Sequence, residues 1–210
     1  MATAHYPYAG SSREHIERHI ASTARSLLDV GCGFGDFGAY VKRMRPALEV
    51  WGLDVAQAVA ETATDRLDHF VLGAFPDDAP SGQFDCITFN DTLEHFPDPW
   101  KALRHTRTLL TPGGEVVASI PNVRHYSVLR PLVLGGRWTY RDSGILDRTH
   151  LRFFTRRSAV DLFESTDYEV LEVVPANVDN GGRAIRFLAL LGSRTVEFRA
   201  TQFVVRARPR

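Results

Sequence analysis

Asp147, His150 and Arg152 place a carboxylate, an imidazole and a guanidinium within six residues. Imidazole exchanges a proton readily near neutral pH, and a neighbouring acid can orient it. In an extended chain these three side chains do not share one face, so a turn at Arg148-Thr149 is needed for Asp147 to orient His150. Arg148 and Arg152 would then anchor a phosphate or carboxylate. His95 and His125 are the other imidazoles that can act as a base. His150 is favoured because an acid lies beside it. Asn122 and Tyr126 carry groups that can hold an acceptor.

A second set of residues points to a nucleoside. Residues 27–38, LLDVGCGFGDFG, join a short apolar run containing Asp29 to glycines at 31, 33, 35 and 38. A buried strand that turns through such a loop into a helix lets backbone approach a ligand where side chains would block it. Asp54 ends the next apolar run, where a carboxylate can accept from vicinal ribose hydroxyls. Gly33, Gly35 and Gly38 also satisfy a dinucleotide fingerprint. Asp29, however, precedes the first glycine, and a negative residue there suits a ligand amino group better than a pyrophosphate.

The pattern of apolar strand, Asp29 and Gly-x-Gly-x-Gly resembles the first motif of the class I methyltransferases that use S-adenosylmethionine. The stretch FDCITFNDTLEHFPDPWKAL, residues 84–103, resembles that family's fourth motif, and the Leu-x-Pro-Gly-Gly turn at 110–114 is a recurrent family feature. The resemblance covers roughly residues 25–207. It implies an α/β fold: a doubly wound, mostly parallel, Rossmann-like sheet whose last strand runs antiparallel in a hairpin with the sixth. It implies S-adenosylmethionine as cofactor and S-adenosylhomocysteine as product. The cofactor residues it implies are Asp29, Gly31, Cys32, Gly33 and Gly35, then Asp54, Val55, Ala74, Phe75 and Asn90. One departure stands out. The family usually has Gly-Asp after the third strand, where the acid meets the adenine amino group, and this chain has Gly73-Ala74. Either Asp77 or Asp78 reaches back, or backbone and Phe75 hold the ring.

Residues 121–126, 135–138 and 145–155 look like a bacterial subgroup often found among surface-polysaccharide and sugar-modifying enzymes. They are also similar to methyltransferase-like proteins assigned to methionine biosynthesis. This implies O-methylation of a sugar or glycan-related small acceptor. The alternative it leaves is an accessory, cofactor-binding subunit of another enzyme.

The elements that must position these groups follow from periodicity. Strands are expected at 27–30, 49–53, 70–72, 84–89, 115–120, 168–174 and 201–205, with helices between. Ser11-x-x-Glu14 reads as a capping box opening a short helix with Ile16 and Ile20 on one face. Tyr6 and Tyr8 could offer ring faces to a cation. An apolar stretch is noted at 185–191. Ligands of such sheets sit beyond the carboxyl ends of the strands, which gathers the candidate residues at one rim.

Residues 121–154 are too long for a plain connection and read as a substrate-binding insertion in a single domain spanning 1–210. Eight arginines lie between Arg124 and Arg157, against Asp142 and Asp147 alone. That excess suggests an anionic acceptor such as a nucleotide-linked sugar, or a solvated surface. The formal net charge is zero, so no nucleic-acid partner is expected. No acidic cluster of metal-ligand character stands out, so no metal is expected. No run is apolar enough to span a bilayer, and the two cysteines form no disulfide framework, so a cytoplasmic protein is expected. A homodimer is left open.

Overall fold

The structure, a computed structural model, describes residues 13–179 and 193–210. Tyr6, Tyr8, the Ser11 cap and the stretch at 185–191 lie outside the described residues. Seven strands form one sheet: β1 (Ser26–Val30), β2 (Glu49–Asp54), β3 (His69–Leu72), β4 (Phe84–Asn90), β5 (Leu110–Pro121), β6 (Tyr168–Val178) and β7 (Ala200–Pro209). Their order is β3-β2-β1-β4-β5-β7-β6. β1 to β5 are parallel, whereas β7 runs antiparallel to both β5 and β6. The helices are α1 (Glu14–Glu17), α2 (Asp36–Met44), α3 (Ala60–Arg66), α4 (Pro99–Thr106), α5 (Tyr126–Gly135) and α6 (Arg156–Glu164).

β1 is buried along nearly its whole length because both faces of the sheet are covered. Leu28 and Val30 point into a core with Ile87 and Phe89 of β4, Val116 of β5, Leu103 of α4 and Phe163 of α6. Leu27 points the other way, into a core with Val50, Cys86, Phe37 and Val41 of α2, and Ile16. Leu28 is fully buried. Truncating such a leucine to alanine costs about 2–5 kcal/mol. β1 is bonded to β2 on one side and β4 on the other, so the strand order reverses there and leaves a crevice at its carboxyl end.

Local signals end the helices as expected. Asp98 caps α4 through the Lys101 amide at 2.8 Å, with Pro99 in the first turn. Thr155 and Ser158 form a reciprocal capping box at α6. Three elements differ from expectation. α1 is preceded by Arg13 in a left-handed conformation with no side-chain cap, although Ile16 and Ile20 are buried as their spacing predicts. The alanine-rich stretch after β2 divides into a 3-10 turn, Gln57–Val59, and α3. β5 begins early: Leu110 pairs with Phe84, the register then shifts, and pairing resumes at Glu115 with Cys86. Among the described residues no helix is long and apolar enough to cross a membrane.

Candidate active site

The carboxyl ends of β1, β2 and β4 open into a cavity of about 930 Å³, within the range of small-molecule sites. Asp29, Gly31, Cys32, Gly33, Asp54, Val55, Ala74, Phe75 and Asn90 all line it. Gly35 does not. It sits at φ 75° as the cap of α2, where a Cβ would come within 3.2 Å of Leu67, so its part is to turn the chain. Gly31 has φ +74°, and a Cβ there would lie 2.7 Å from the Thr92 side chain. Both conformation and space therefore demand glycine.

Asp29 is buried at the end of β1. Its Oδ1 accepts from Thr88 Oγ1 at 2.7 Å and from Asn90 Nδ2 at 2.9 Å. Burial pushes its carboxyl up to about 6, although the Thr88 hydroxyl pulls the other way. Asn90 Oδ1 is buried without a partner. An acid and an unsatisfied carbonyl oxygen side by side fit a cationic amino group. Asp54 accepts from the Gly33 amide and the Ala56 amide, both at 2.9 Å. It thus ties the tip of β2 to the glycine loop. Burial raises the Cys32 thiol well above its usual range, which makes it an inert wall.

The two acids that follow β3, Asp77 and Asp78, do not reach the cavity. Asp78 turns back to accept from the Ala74 amide at 2.8 Å, and Asp77 pairs with Lys101 at 3.4 Å. What lines the cavity there is Phe75, held edge-on against Phe89 and Phe96, and the exposed Val55. These provide apolar faces for a planar ring.

Of the three imidazoles, only His95 faces the cavity. It ends the 3-10 turn Leu93–His95 after β4, and its Nδ1 donates to the Thr149 carbonyl at 3.2 Å. His150 lies behind it, edge-on at 4.8 Å between ring centroids. The turn at Arg148-Thr149 forms, but Asp147 spends both its hydrogen bonds on Thr149, through the amide at 2.8 Å and the hydroxyl at 2.7 Å. The Thr149 bonds outweigh burial and hold the Asp147 carboxyl below its usual value. The partner that orients His150 is therefore the Ile145 carbonyl, 3.1 Å from Nδ1. Burial, and then His95, lower the His150 pKa.

Glu94 escaped the sequence reading. Its side chain is 1% exposed, and neither carboxylate oxygen has a hydrogen-bond partner. Burial, and then Asp91, raise its pKa well above the usual value. Its own carbonyl accepts from the amides of Leu151 and Arg152, at 2.8 and 3.0 Å, so it pins the insertion to the rim. Arg13 was also missed. It lines the cavity, bonds the Asn90 carbonyl and pairs with Asp91 at 3.3 Å. Glu94 stands next to the expected His95, and that adjacency was the signal the sequence offered.

Of the remaining insertion residues, Arg148 reaches the cavity and Asn122, His125, Tyr126 and Arg152 do not line it. Asn122 is fully buried, donates to the carbonyls of Glu197 and Ala200 and accepts from the Arg124 amide. His125 caps α5, and Tyr126 donates to Asp179 at 2.6 Å. Arg148 lines the cavity mouth and pairs with Asp142 at 2.6 Å. Arg152 bonds the Pro97 carbonyl and lies over the Trp100 ring.

A seven-stranded sheet with this order, its last strand antiparallel, defines a class I methyltransferase fold. Residues 10–173 match the family described as "Methyltransferase domain", and the chain belongs to it. It is 31% identical over 116 residues to the ubiquinone biosynthesis O-methyltransferase of Stutzerimonas stutzeri (strain A1501), covering 51% of this chain and 49% of that one. The chain thus spans about half the length of the curated relatives it matches. The plantazolicin methyltransferase BpumL, solved with S-adenosylhomocysteine, superposes with a TM-score of 0.65 at 16% identity, covering 95% of this chain and 83% of that one. The [4+2]-cyclase SpnF superposes with a TM-score of 0.60 at 20% identity, covering 88% and 75%. A cyclase on this fold means that the fold alone does not define the reaction.

Proposed function

We propose that this chain transfers a methyl group from S-adenosylmethionine to a hydroxyl oxygen of a small acceptor. The observation that carries this reading is one cavity in which Asp29, Gly31, Gly33 and Asp54 face His95. S-adenosylmethionine supplies a methyl group on a sulfonium, leaving as S-adenosylhomocysteine when an acceptor oxygen displaces it. Asp29 and Asn90 Oδ1 hold the amino group, Asp54 the ribose hydroxyls, and Val55 and Phe75 the adenine. The hydroxyl proton passes to the group formed by Glu94, His95 and His150, of which His95 is the member at the cavity wall.

The finer reading is a sugar or glycan-related acceptor, chosen by residues 121–154 within one methyltransferase domain. A sugar hydroxyl is a weak acid and needs its proton removed during attack, whereas a phenol, ionising near pH ~10, depends less on a base. Arg148 at the mouth would read an anionic substituent. Cys32 and Cys86, both free and buried, suit a reducing compartment such as the cytoplasm.

Calorimetric titration with S-adenosylmethionine, S-adenosylhomocysteine and NADH tests the cofactor. Micromolar binding of the first two and none of NADH is expected, and the reverse would sink the reading. Methyl transfer to a panel of sugar nucleotides, glycans and phenols then tests the acceptor.

A second reading, an accessory cofactor-binding subunit, has one observation in its favour. Val133 and Leu134 on α5 are 75% and 77% exposed. Cofactor binding without turnover on any acceptor, together with a specific protein partner in extract, would support it.

A further inference from the structure

We propose that Glu94, His95 and His150 form a site for one divalent first-row transition-metal ion, held by a carboxylate oxygen and two imidazole nitrogens where the cavity meets the insertion. One ligand atom from each residue lies within 4.8 Å of the other two. Glu94 and His150 are 1% and 5% exposed, and both Glu94 oxygens and His150 Nε2 are buried without a partner. Polar groups are rarely left so, because burying them unpaired is costly. His150 Nε2 approaches Glu94 Oε1 only to 3.9 Å, too far for a hydrogen bond.

The imidazoles are oriented as metal ligands are. His95 Nδ1 faces the Thr149 carbonyl at 3.2 Å, and His150 Nδ1 faces the Ile145 carbonyl at 3.1 Å. A carbonyl can only accept, so each Nδ1 carries the proton and each Nε2 presents a lone pair. Ligating histidines are typically fixed by such a bond from the other ring nitrogen. The amides of Leu151 and Arg152, both bonded to the Glu94 carbonyl, clamp the His150 segment against Glu94.

Size and donor type set the ion. Ligands about 2.1 Å from a tetrahedral ion lie roughly 3.4 Å from one another, so side-chain rotations that move these atoms by about an ångström close the set. Two nitrogens and one oxygen suit zinc, iron, cobalt, nickel or manganese, whereas magnesium and calcium favour all-oxygen sites. Because His95 lies at the cavity wall, coordination positions would open toward the acceptor. The inference deepens the methyl-transfer reading and rests on it for its purpose: with the three groups ligating, the acceptor proton would pass to solvent rather than to His95, and the ion would hold the acceptor oxygen and stabilise its deprotonated form.

The test strips the full chain with EDTA and titrates it with Co²⁺, followed by calorimetry and visible absorption, with Mg²⁺ as control. S-adenosylhomocysteine binding is measured on the same samples. We expect about one equivalent of Co²⁺ with a d–d absorption band, displaced by Zn²⁺, and Mg²⁺ at least ~100-fold weaker. Glu94→Gln, His150→Gln and His95→Gln should each weaken Co²⁺ at least ~100-fold, with S-adenosylhomocysteine affinity within about threefold of wild type. His95→Gln, at the cavity wall, is the variant least able to disturb folding. A wild-type chain that binds S-adenosylhomocysteine but no Co²⁺ overturns the proposal, as does Co²⁺ binding unchanged in His95→Gln and Glu94→Gln. Failure to bind S-adenosylhomocysteine would strike the methyl-transfer reading instead, and the Co²⁺ titration would still decide the metal.

Discussion

On the β1–β2 side of the cavity, Asp54 accepts from two backbone amides and Asp29 from two side chains. On the β4 side, Glu94 and His150 leave three side-chain atoms buried and unpaired. The first side is an edge fixed by backbone and local bonds, and it needs a ligand only to complete it. The second is a set of reactive groups held open by bonds made elsewhere, from Ile145, Thr149 and the Glu94 carbonyl. On the proposed function, binding and chemistry fall to these differently built halves of one cavity, and variants should separate them.

The largest expected effect lies on the β4 side. His95→Ala should lower kcat by about 100- to 10,000-fold while leaving S-adenosylhomocysteine affinity nearly unchanged. His150→Ala should lower kcat too, through loss of the neighbouring ring. Turnover and calorimetry on the same preparations measure both. If His95→Ala retains turnover, the assignment of chemistry to this side fails. Next in size is Asp54→Ala on the other side. A hydrogen bond to a charged group contributes about 1.5–3 kcal/mol. Losing the ribose bonds and the tie to Gly33 should weaken S-adenosylhomocysteine by at least ~100-fold. Equal loss of kcat and affinity in either variant would collapse the distinction between the two sides.

Asp29 sharpens the comparison, because its position sets binding against stability. Its carboxyl lies at about 6 in the fold against the usual 3.8. It therefore takes up a proton more readily folded than unfolded. Its contribution to stability is fully present below pH 3.8 and is lost as pH rises through about 6. At pH 7 the buried charge is thus a liability. Asp29→Asn keeps an acceptor for Thr88 and Asn90 and should stabilise the chain by on the order of 2 kcal/mol at pH 7. That is a rise of several degrees in Tm, shrinking toward pH 4. The same change should weaken the methyl donor about tenfold. In the wild type, donor affinity should fall as pH drops below about 6. Thermal melts and titrations from pH 5 to 8 check both, and an unaltered Tm would mean that Asp29 is not charged when buried.

The sequence made the β1–β2 side legible and the β4 side only partly so. Asp29, the glycines and Asp54 lie at the ends of adjacent parallel strands, so their spacing along the chain already encodes the rim. The mostly parallel sheet followed from the strand–helix alternation, and its antiparallel last strand from the family resemblance; the order β3-β2-β1-β4-β5-β7-β6 came from the structure. His150 is different. Whether it meets the cavity depends on how a strandless insertion folds back, and periodicity does not report that. Asp147 beside it read as an orienting acid, but an acid two residues before a threonine can cap its own turn, and here it does. Asn122, Tyr126 and His125 carry suitable groups, yet the first is bonded to Glu197 and Ala200, the second to Asp179, and the third caps a helix. Glu94 was visible as a letter but not as a buried, unpaired acid. Burial on that scale is a tertiary property.

The smallest expected effect concerns Arg148, and it asks whether the insertion selects the acceptor by charge. Its guanidinium pairs with Asp142 at 2.6 Å, with side chains 63% and 86% exposed. Such a pair contributes little to stability, about 0–1 kcal/mol, and is screened by salt. Arg148→Ala should therefore leave Tm almost unchanged. If the acceptor is anionic, Arg148→Ala should raise its KM several-fold with kcat and donor affinity intact, and added salt should shrink the difference. Arg148→Lys, which keeps the charge but loses the planar fork, should fall between. If all three proteins share one KM, the arginines of 121–154 are a solvated surface, and selection then rests on shape and on the groups around His95. The β4 side would then both choose the acceptor and act on it.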